Sequence, residues 1–271
     1  MIVFTKHFKG LNIDELIKKI KETGAYGVDL CVRPDYPVNP ENIEKQLPKA
    51  VKKFNDEGLS IPMITTPTDF VEPEKPEVER VFYACAVSGI KLIKIGYWFM
   101  KEEGYWKTVE NIRKKIEKFI KIAGKNSIKI LIHNHSGSTM SLNSVSVMNL
   151  IKGFPVEYVG VFLDPGHLSI TGEPIDMAID IVKEYLSAVA VKDIIRERVV
   201  INGKRKWQIR IVPLGEGYVE WEKVLDLLYK IKFSGPISIH SEYSELKIDD
   251  LIDQTKIDLR YIKRIIENLK G

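Results

Sequence analysis

"KILIHNHSG", Lys129 to Gly137, begins with alternating apolar residues and ends in two histidines set two apart. Successive side chains of a strand turn to opposite faces, so His133 and His135 share one face. A buried strand with so polar an end raises the question of whether the other strands of this chain end the same way.

Short β-type runs alternate with amphipathic helical stretches along the whole chain, the pattern of βα units around a parallel sheet. The strands are expected at 2–7, 26–32, 59–66, 90–98, 128–135, 158–164, 186–193 and 236–243, with eight helices interleaved. Asn12 reads as an N-cap before Asp14 and Glu15, and Gly24 and Gly58 as helix ends. Eight units in 271 residues predict an α/β fold, a single (β/α)8 TIM barrel forming one domain over 1–271. Two segments break the rhythm. "VRPDYPVNP" (32–40) is a stiff proline-rich loop. Residues 194–217 lengthen the seventh βα loop, and Asn202-Gly203 within it is a pair favoured in type I′ turns, so 196–212 is expected to form a hairpin flap over the barrel mouth.

With 44% hydrophobic and 29% charged residues, the chain has the balance of a globular protein. Its formal charge of +4 is spread along the sequence and draws no nucleic-acid track. The start carries Lys6 and no long apolar region, and no uninterrupted apolar run reaches the ~18 residues of a membrane span. A cytoplasmic protein without nucleic-acid or membrane partners is expected. Cys31 and Cys85 lie in apolar contexts and read as buried free thiols.

In such barrels the active site lies at the C-terminal ends of the strands. By that rule all five histidines fall on one rim: His7 after the first strand, His133 and His135 after the fifth, His167 after the sixth and His240 on the eighth. Each alone could simply cap a strand; together they favour a site. Asp164 and Glu242 join them, with Asp29 and Asp193 as further carboxylates. Lys6, Arg33, Lys192 and Arg210 add cationic donors near the rim, and Tyr97, Trp98 and Trp207 could form an apolar wall. Imidazoles and carboxylates at one mouth suit a divalent metal such as Mn²⁺, Zn²⁺, Co²⁺ or Fe²⁺, which would polarise a carbonyl or hydroxyl of a bound polyol.

The motifs "GAYGVDL" (24–30), "NHSG" (134–137), "LDPGHL" (163–168), "VKD" (191–193) and "PLGEGYVEW" (213–221), in this order and at these spacings, resemble the xylose-isomerase-like TIM barrel superfamily of sugar phosphate isomerases and epimerases. "TKH", "VRP" and "GPISIHSEY" resemble a separate branch of it. The resemblance implies a metal held by a Glu, an Asp, a His and a Glu on strands five to eight, the two glutamates exchanging the proton beside the carbonyl. Here Asp164 is kept, while His133, Ala190 and His240 stand at the other positions. The implied set is then His133, Asp164 and His240, two histidines and one carboxylate, an arrangement that also suits non-haem Fe(II). The catalytic base is expected among His133, His240 and Glu242, with His7, Arg33, His135, His167, Lys192 and Arg210 binding the substrate.

The expected function is a sugar or polyol isomerase or epimerase working by metal-assisted proton abstraction next to a carbonyl. Its partner is a small carbohydrate or polyol, and self-association into a homo-oligomer is left open. The alternatives are a lyase or dehydratase on a related polyol and a non-catalytic sugar-binding barrel. An endonuclease is disfavoured by the charge pattern and by the few ligands in view.

Overall fold

In the computed structural model, which describes residues 1–269, eight short apolar runs form parallel strands. They are β1 (Ile2–Phe4), β2 (Gly27–Cys31), β3 (Ser60–Thr65), β4 (Leu92–Lys94), β5 (Lys129–His133), β6 (Val159–Leu163), β7 (Leu186–Val191) and β10 (Ile237–Ile239). An antiparallel hairpin, β8 (Asp193–Ile201) and β9 (Lys204–Val212), stands apart from them. The helices are α1 (Ile13–Thr23), α2 (Ile43–Asp56), α3 (Pro76–Val87), α4 (Tyr105–Asn126), α5 (Ser144–Ile151), α6 (Pro165–Thr171), α7 (Ile175–Val182), α8 (Trp221–Lys230) and α9 (Ile248–Asn268). The last two residues of the expected 1–271 domain lie outside the described residues.

The barrel closes in the order β1-β10-β7-β6-β5-β4-β3-β2, sealed where Ile2 pairs with Ser238 and Val3 with Ile239. This is the (β/α)8 barrel that the alternating runs predict. Because strand side chains alternate, one set points into the barrel and the other toward the helices. Ile2, Met63, Leu131, Phe162, Ala188 and Ala190 fill the interior, with Leu92 packed against them. Their neighbours Val3, Ile64, Ile93, Ile130, Val161 and Val189 join the helix-facing core.

Three expected strand boundaries and the number of helices are corrected; the eighth strand, expected over 236–243, ends at Ile239, so His240 and Glu242 lie just beyond it. The first strand stops at Phe4, and Thr5–Phe8 form a 3-10 turn carrying His7. The hydroxyl of Thr5 accepts from the Cys31 amide at 2.8 Å, taking up a donor that a longer β1 would have paired. The fourth strand is only Leu92–Lys94: at Gly96 the chain passes so close to the β3–α3 loop that a Cβ would lie 2.4 Å from the Thr68 carbonyl oxygen. Nine α-helices stand among the described residues where eight were expected. Two follow β6, since Gly172 ends α6 with φ of 76° and Pro174 precedes α7. At α1 the local signals act as read: Asn12 and Glu15 form a capping box, and Gly24 closes the helix in the left-handed conformation.

In the hairpin, Asn202 and Gly203 have φ of 52° and 72°, as a type I′ turn requires. Its base is tied down by Asp193, whose carboxylate accepts from the amides of Ile194, Gly215 and Val219 at 3.0–3.1 Å. Asp193 thus serves the architecture. A Cβ on Gly217 would fall 2.1 Å from the same carboxylate. Gly217→Ala is therefore expected to lower stability by about 1–3 kcal/mol, the range for overpacking a filled site. Urea unfolding at neutral pH checks this, and an unchanged midpoint would show that the Asp193 clasp does not tie the hairpin to the barrel.

Candidate active site

The polar residues of the barrel mouth follow from the same alternation. Two residues beyond Leu92, Leu131, Phe162 and Ala190 in the interior come Lys94, His133, Asp164 and Lys192. They form the next inward layer toward the C-terminal ends, joined by His240 and Glu242 of the chain leaving β10. All six are buried or nearly so. A cavity of about 100 Å³ opens there, lined by Lys94, Tyr97, His133, Lys192, His240 and Glu242, with Phe4 and Arg33 from the first two loops. A wider cavity of about 590 Å³ shares Lys6, His135, Lys192 and Glu242 with it, and extends to His7, His167 and residues 208–211 of β9.

Asp164 is the most heavily used group. Its Oδ1 caps α6 by accepting from the His167 amide at 3.0 Å, while Oδ2 accepts from Lys192 Nζ at 2.9 Å and His133 Nε2 at 3.2 Å. The side chain of Asn134 clamps its backbone, donating to the Asp164 carbonyl at 3.0 Å and accepting from its amide at 2.7 Å. Burial alone would raise the Asp164 pKa, yet Lys192 and the neighbouring histidines hold it well below the usual carboxylate range. Lys192 also donates to Glu242 Oε2 at 3.2 Å and to His167 Nε2 at 2.9 Å. Against the effect of burial, Asp164 and Glu242 together raise its pKa. Lys6 completes the chain of charges, donating to Glu242 Oε1 at 2.6 Å. Glu242 too is held well below its ordinary value: burial opposes ionisation, but Lys192, His240 and Lys6 outweigh it.

The histidines are neutral, and their partners assign the ring protons. His133 donates from Nε2 to Asp164 and accepts from the Tyr97 hydroxyl at Nδ1, 2.6 Å away. His167 accepts from Lys192 at Nε2, so Nδ1 donates to Ser136 Oγ at 2.8 Å. His135 donates from Nδ1 to the Ser136 carbonyl at 2.7 Å. Burial pushes His133 down to about 4 and His240 to about 3. His240 has no hydrogen-bond partner at either ring nitrogen, and the same holds for Arg33 Nε and Lys94 Nζ, all three residues lining the small cavity.

The structure brings His133 and Asp164 together but leaves His240 apart. The two imidazole centroids are 6.1 Å from one another, and His240 comes no nearer than 3.9 Å to the carboxylates of Asp29 and Glu242. Among the described residues no three His, Cys, Asp or Glu side chains are grouped to hold one ion. The expected set of His133, Asp164 and His240 does not fit a shared dication, because the Lys192 ammonium already sits on the carboxylate oxygen such an ion would need. At the seventh-strand position Ala190 is part of the apolar interior.

The remaining candidates divide by cavity. Arg33 lines the small one; His7, His135 and His167 line the wide one, His135 bordering both. Arg210 belongs to exposed β9, where it pairs with Glu197 at 3.2 Å, and it too lines the wide cavity. Of the expected apolar wall only Tyr97 borders the small cavity. Trp98 is buried and donates to the Val71 carbonyl, and Trp207 is exposed on the flap beside Arg196 and Arg198. The sequence reading passed over Lys94. Its signal was available: a lysine at the position where β4 parity, counted from Leu92, points into the barrel.

A family model described as xylose isomerase-like TIM barrel matches residues 17–265. Among solved structures, a D-tagatose 3-epimerase-like protein superimposes with a TM-score of 0.75 at 16% identity, covering 99% of this chain and 98% of its own. The 3-keto-D-glucoside 4-epimerase of E. coli gives 0.71 at 16% identity, covering 97% of this chain and 98% of its own. A xylose isomerase-like TIM barrel protein from Mycobacterium smegmatis, solved in complex with magnesium, gives 0.70 at 16% identity, covering 100% and 97%. At these identities the likeness is one of fold. No curated protein matches the chain in sequence.

Replacing Asp164 by Asn keeps the cap on α6 and removes the charge facing Lys192. The loss is expected to be about 3 kcal/mol at neutral pH, the low end for breaking a buried pair, since Lys192 retains Glu242. Because the folded pKa of Asp164 lies below its unfolded value of about 3.9, its contribution is present above that pH and fades as pH falls below it. Denaturant titrations of both proteins at pH 7 and in the acid range check this; a difference that does not shrink in acid would contradict the ion pair.

Proposed function

The chain belongs to the xylose isomerase-like TIM barrel family, and from that premise we propose that it is an isomerase or epimerase of a small carbohydrate or polyol-derived carbonyl compound, working by proton abstraction next to the carbonyl. The observation that carries this reading is the set of unpartnered nitrogens on Arg33, Lys94 and His240, gathered on a cavity that also meets the Glu242 carboxylate. Buried polar groups without partners are costly, and a ligand dense in oxygen would satisfy them. Two structural neighbours, a D-tagatose 3-epimerase-like protein and a 3-keto-D-glucoside 4-epimerase, agree in kind with such a ligand.

In this reading Glu242 is the base. Lys6 and Lys192 hold it ionised and fix its orientation at the border of the two cavities. Positive charge at the reacting oxygen comes from Arg33, whose Nε is unpartnered, preorganised in a water-poor site where such donors act strongly. Neutral His240 binds a substrate oxygen, while His133, both of its ring nitrogens engaged by Tyr97 and Asp164, forms a fixed wall of the cavity. His7, His135 and His167 face the part of the substrate that extends into the wide cavity, beneath the flap. No step requires a metal on the His133, Asp164 and His240 set.

Incubation with a panel of ketopentoses and ketohexoses in D₂O tests the proposal. Deuterium is expected to enter the carbon beside the carbonyl of at least one sugar, and Glu242→Gln is expected to slow this by about 10²-fold or more. Binding of a sugar without any exchange would replace the isomerase by a non-catalytic sugar-binding barrel. A product lighter by one water would make the protein a lyase.

A further inference from the structure

The inner layer holds two buried lysines of opposite character. Lys192 is saturated by Asp164, Glu242 and His167. Lys94, only 1% exposed, has no hydrogen-bond partner at Nζ, and no carboxylate among the described residues lies within 4.0 Å of it. Its Nζ stands 3.5 Å from the centroid of the Tyr97 ring, at cation–π distance, so the ring face is the group that meets it. Both lysines line the same small cavity.

Apart from the Tyr97 ring face, the groups around Lys94 do not offset the cost of burying an ammonium. Burial lowers its pKa well below the ordinary lysine value, and the Arg33 guanidinium adds to this; Asp29, Cys31 and Glu242 act in the opposite direction without restoring it. Asp29 gives little help, since its own burial raises it to about 7. His133 and His240 are neutral, and Tyr97 is raised by burial and so keeps its proton. A desolvated lysine beside another cation is an activated nitrogen nucleophile.

We propose that Lys94 is a nucleophilic residue, its Nζ forming a covalent imine with the carbonyl carbon of the substrate. The inference rests on the reading that the cavity takes a small carbonyl compound. The Nζ lone pair forms the C–N bond as the carbonyl π pair moves to oxygen. The two amine protons then leave with that oxygen as water when the C–O bond breaks, leaving C=N. One proton from solvent converts the imine to an iminium, which draws electrons from the adjacent C–H bond more strongly than a neutral carbonyl, and Glu242 across the cavity accepts that proton. Return of that proton from Glu242 or solvent to the carbon of the resulting enamine regenerates the iminium, and hydrolysis by one water then releases the carbonyl product, the free amine and the proton taken from solvent, so no outside oxidant or reductant is used.

The probe is dihydroxyacetone with sodium cyanoborohydride at pH 7, which reduces an imine to a stable secondary amine. Proteolysis and mass spectrometry then locate the adduct. Labelling of Lys94 is expected to be at least 10-fold faster than that of any exposed lysine and of the ion-paired Lys192. Lys94→Met, an apolar side chain of similar reach, is expected to lose that adduct and at least 10²-fold of the deuterium exchange while unfolding cooperatively. An unlabelled Lys94 in the wild-type protein overturns the imine, and this readout needs no variant to fold. Exchange retained in Lys94→Met also overturns it and leaves the isomerase reading standing. Labelling of Lys94 with no exchange on any sugar upholds the nucleophile and removes the isomerase instead.

Discussion

A parallel strand closed into a barrel has only every second residue to offer the interior, and this constraint organises the whole molecule. At mid-height the offered residues are mostly apolar, Ile2, Met63, Leu131, Phe162, Ala188 and Ala190, with the buried Asp29 and Ser238 in the same layer. One step further along the same strands they are Lys94, His133, Asp164 and Lys192. The floor of the cavity and its reactive groups are thus consecutive layers of a single pattern. A slip of one residue in any strand would exchange a polar group for an apolar one from the helix-facing side.

Placing so many ionisable groups in a dry interior demands that their charges alternate. Asp164, Lys192, Glu242 and Lys6 do so in sequence, each within 3.2 Å of the next. A chain of this kind gains little net stability over an apolar core, because the desolvation of each ion offsets most of its attraction. Its use is positional: it holds Glu242 ionised and pointed, and keeps His167 neutral by occupying its Nε2. Lys94 and His240 stand outside the chain, which is why their nitrogens are left for a ligand.

The barrel was legible because its signals are local and repeated: apolar runs, caps such as Asn12 and Gly24, and the Asn202-Gly203 turn. The strand-end rule also gathered His133, Asp164, Lys192, His240 and Glu242 correctly at one rim. Other features need three-dimensional information. In "IKLIKIGYW" the lysines 91 and 94 look alike, and only the short β4 with Leu92 facing inward separates them. Nothing in the sequence tells that the Lys192 ammonium would lie between two carboxylates, on the very oxygen of Asp164 that strand ends and the family resemblance mark as a metal ligand. The split between α6 and α7 was missed although Gly172 and Pro174 signal it, since the apolar periodicity runs on through both.

The seam between β1 and β10 carries a kinetic consequence. Ile2 and Val3 find their partners, Ser238 and Ile239, almost at the opposite end of the chain. During synthesis the first strand leaves the ribosome long before β10 exists, and it waits with an open edge. Contacts so distant in sequence make closure a slow, late event. His240 and Glu242 follow β10 directly, so the cavity is completed by the same step that seals the barrel. A nascent or truncated chain, whatever helices it has already formed, has no complete cavity, and its unsealed β1 edge is the place where a holding chaperone or an unwanted neighbour would first engage it.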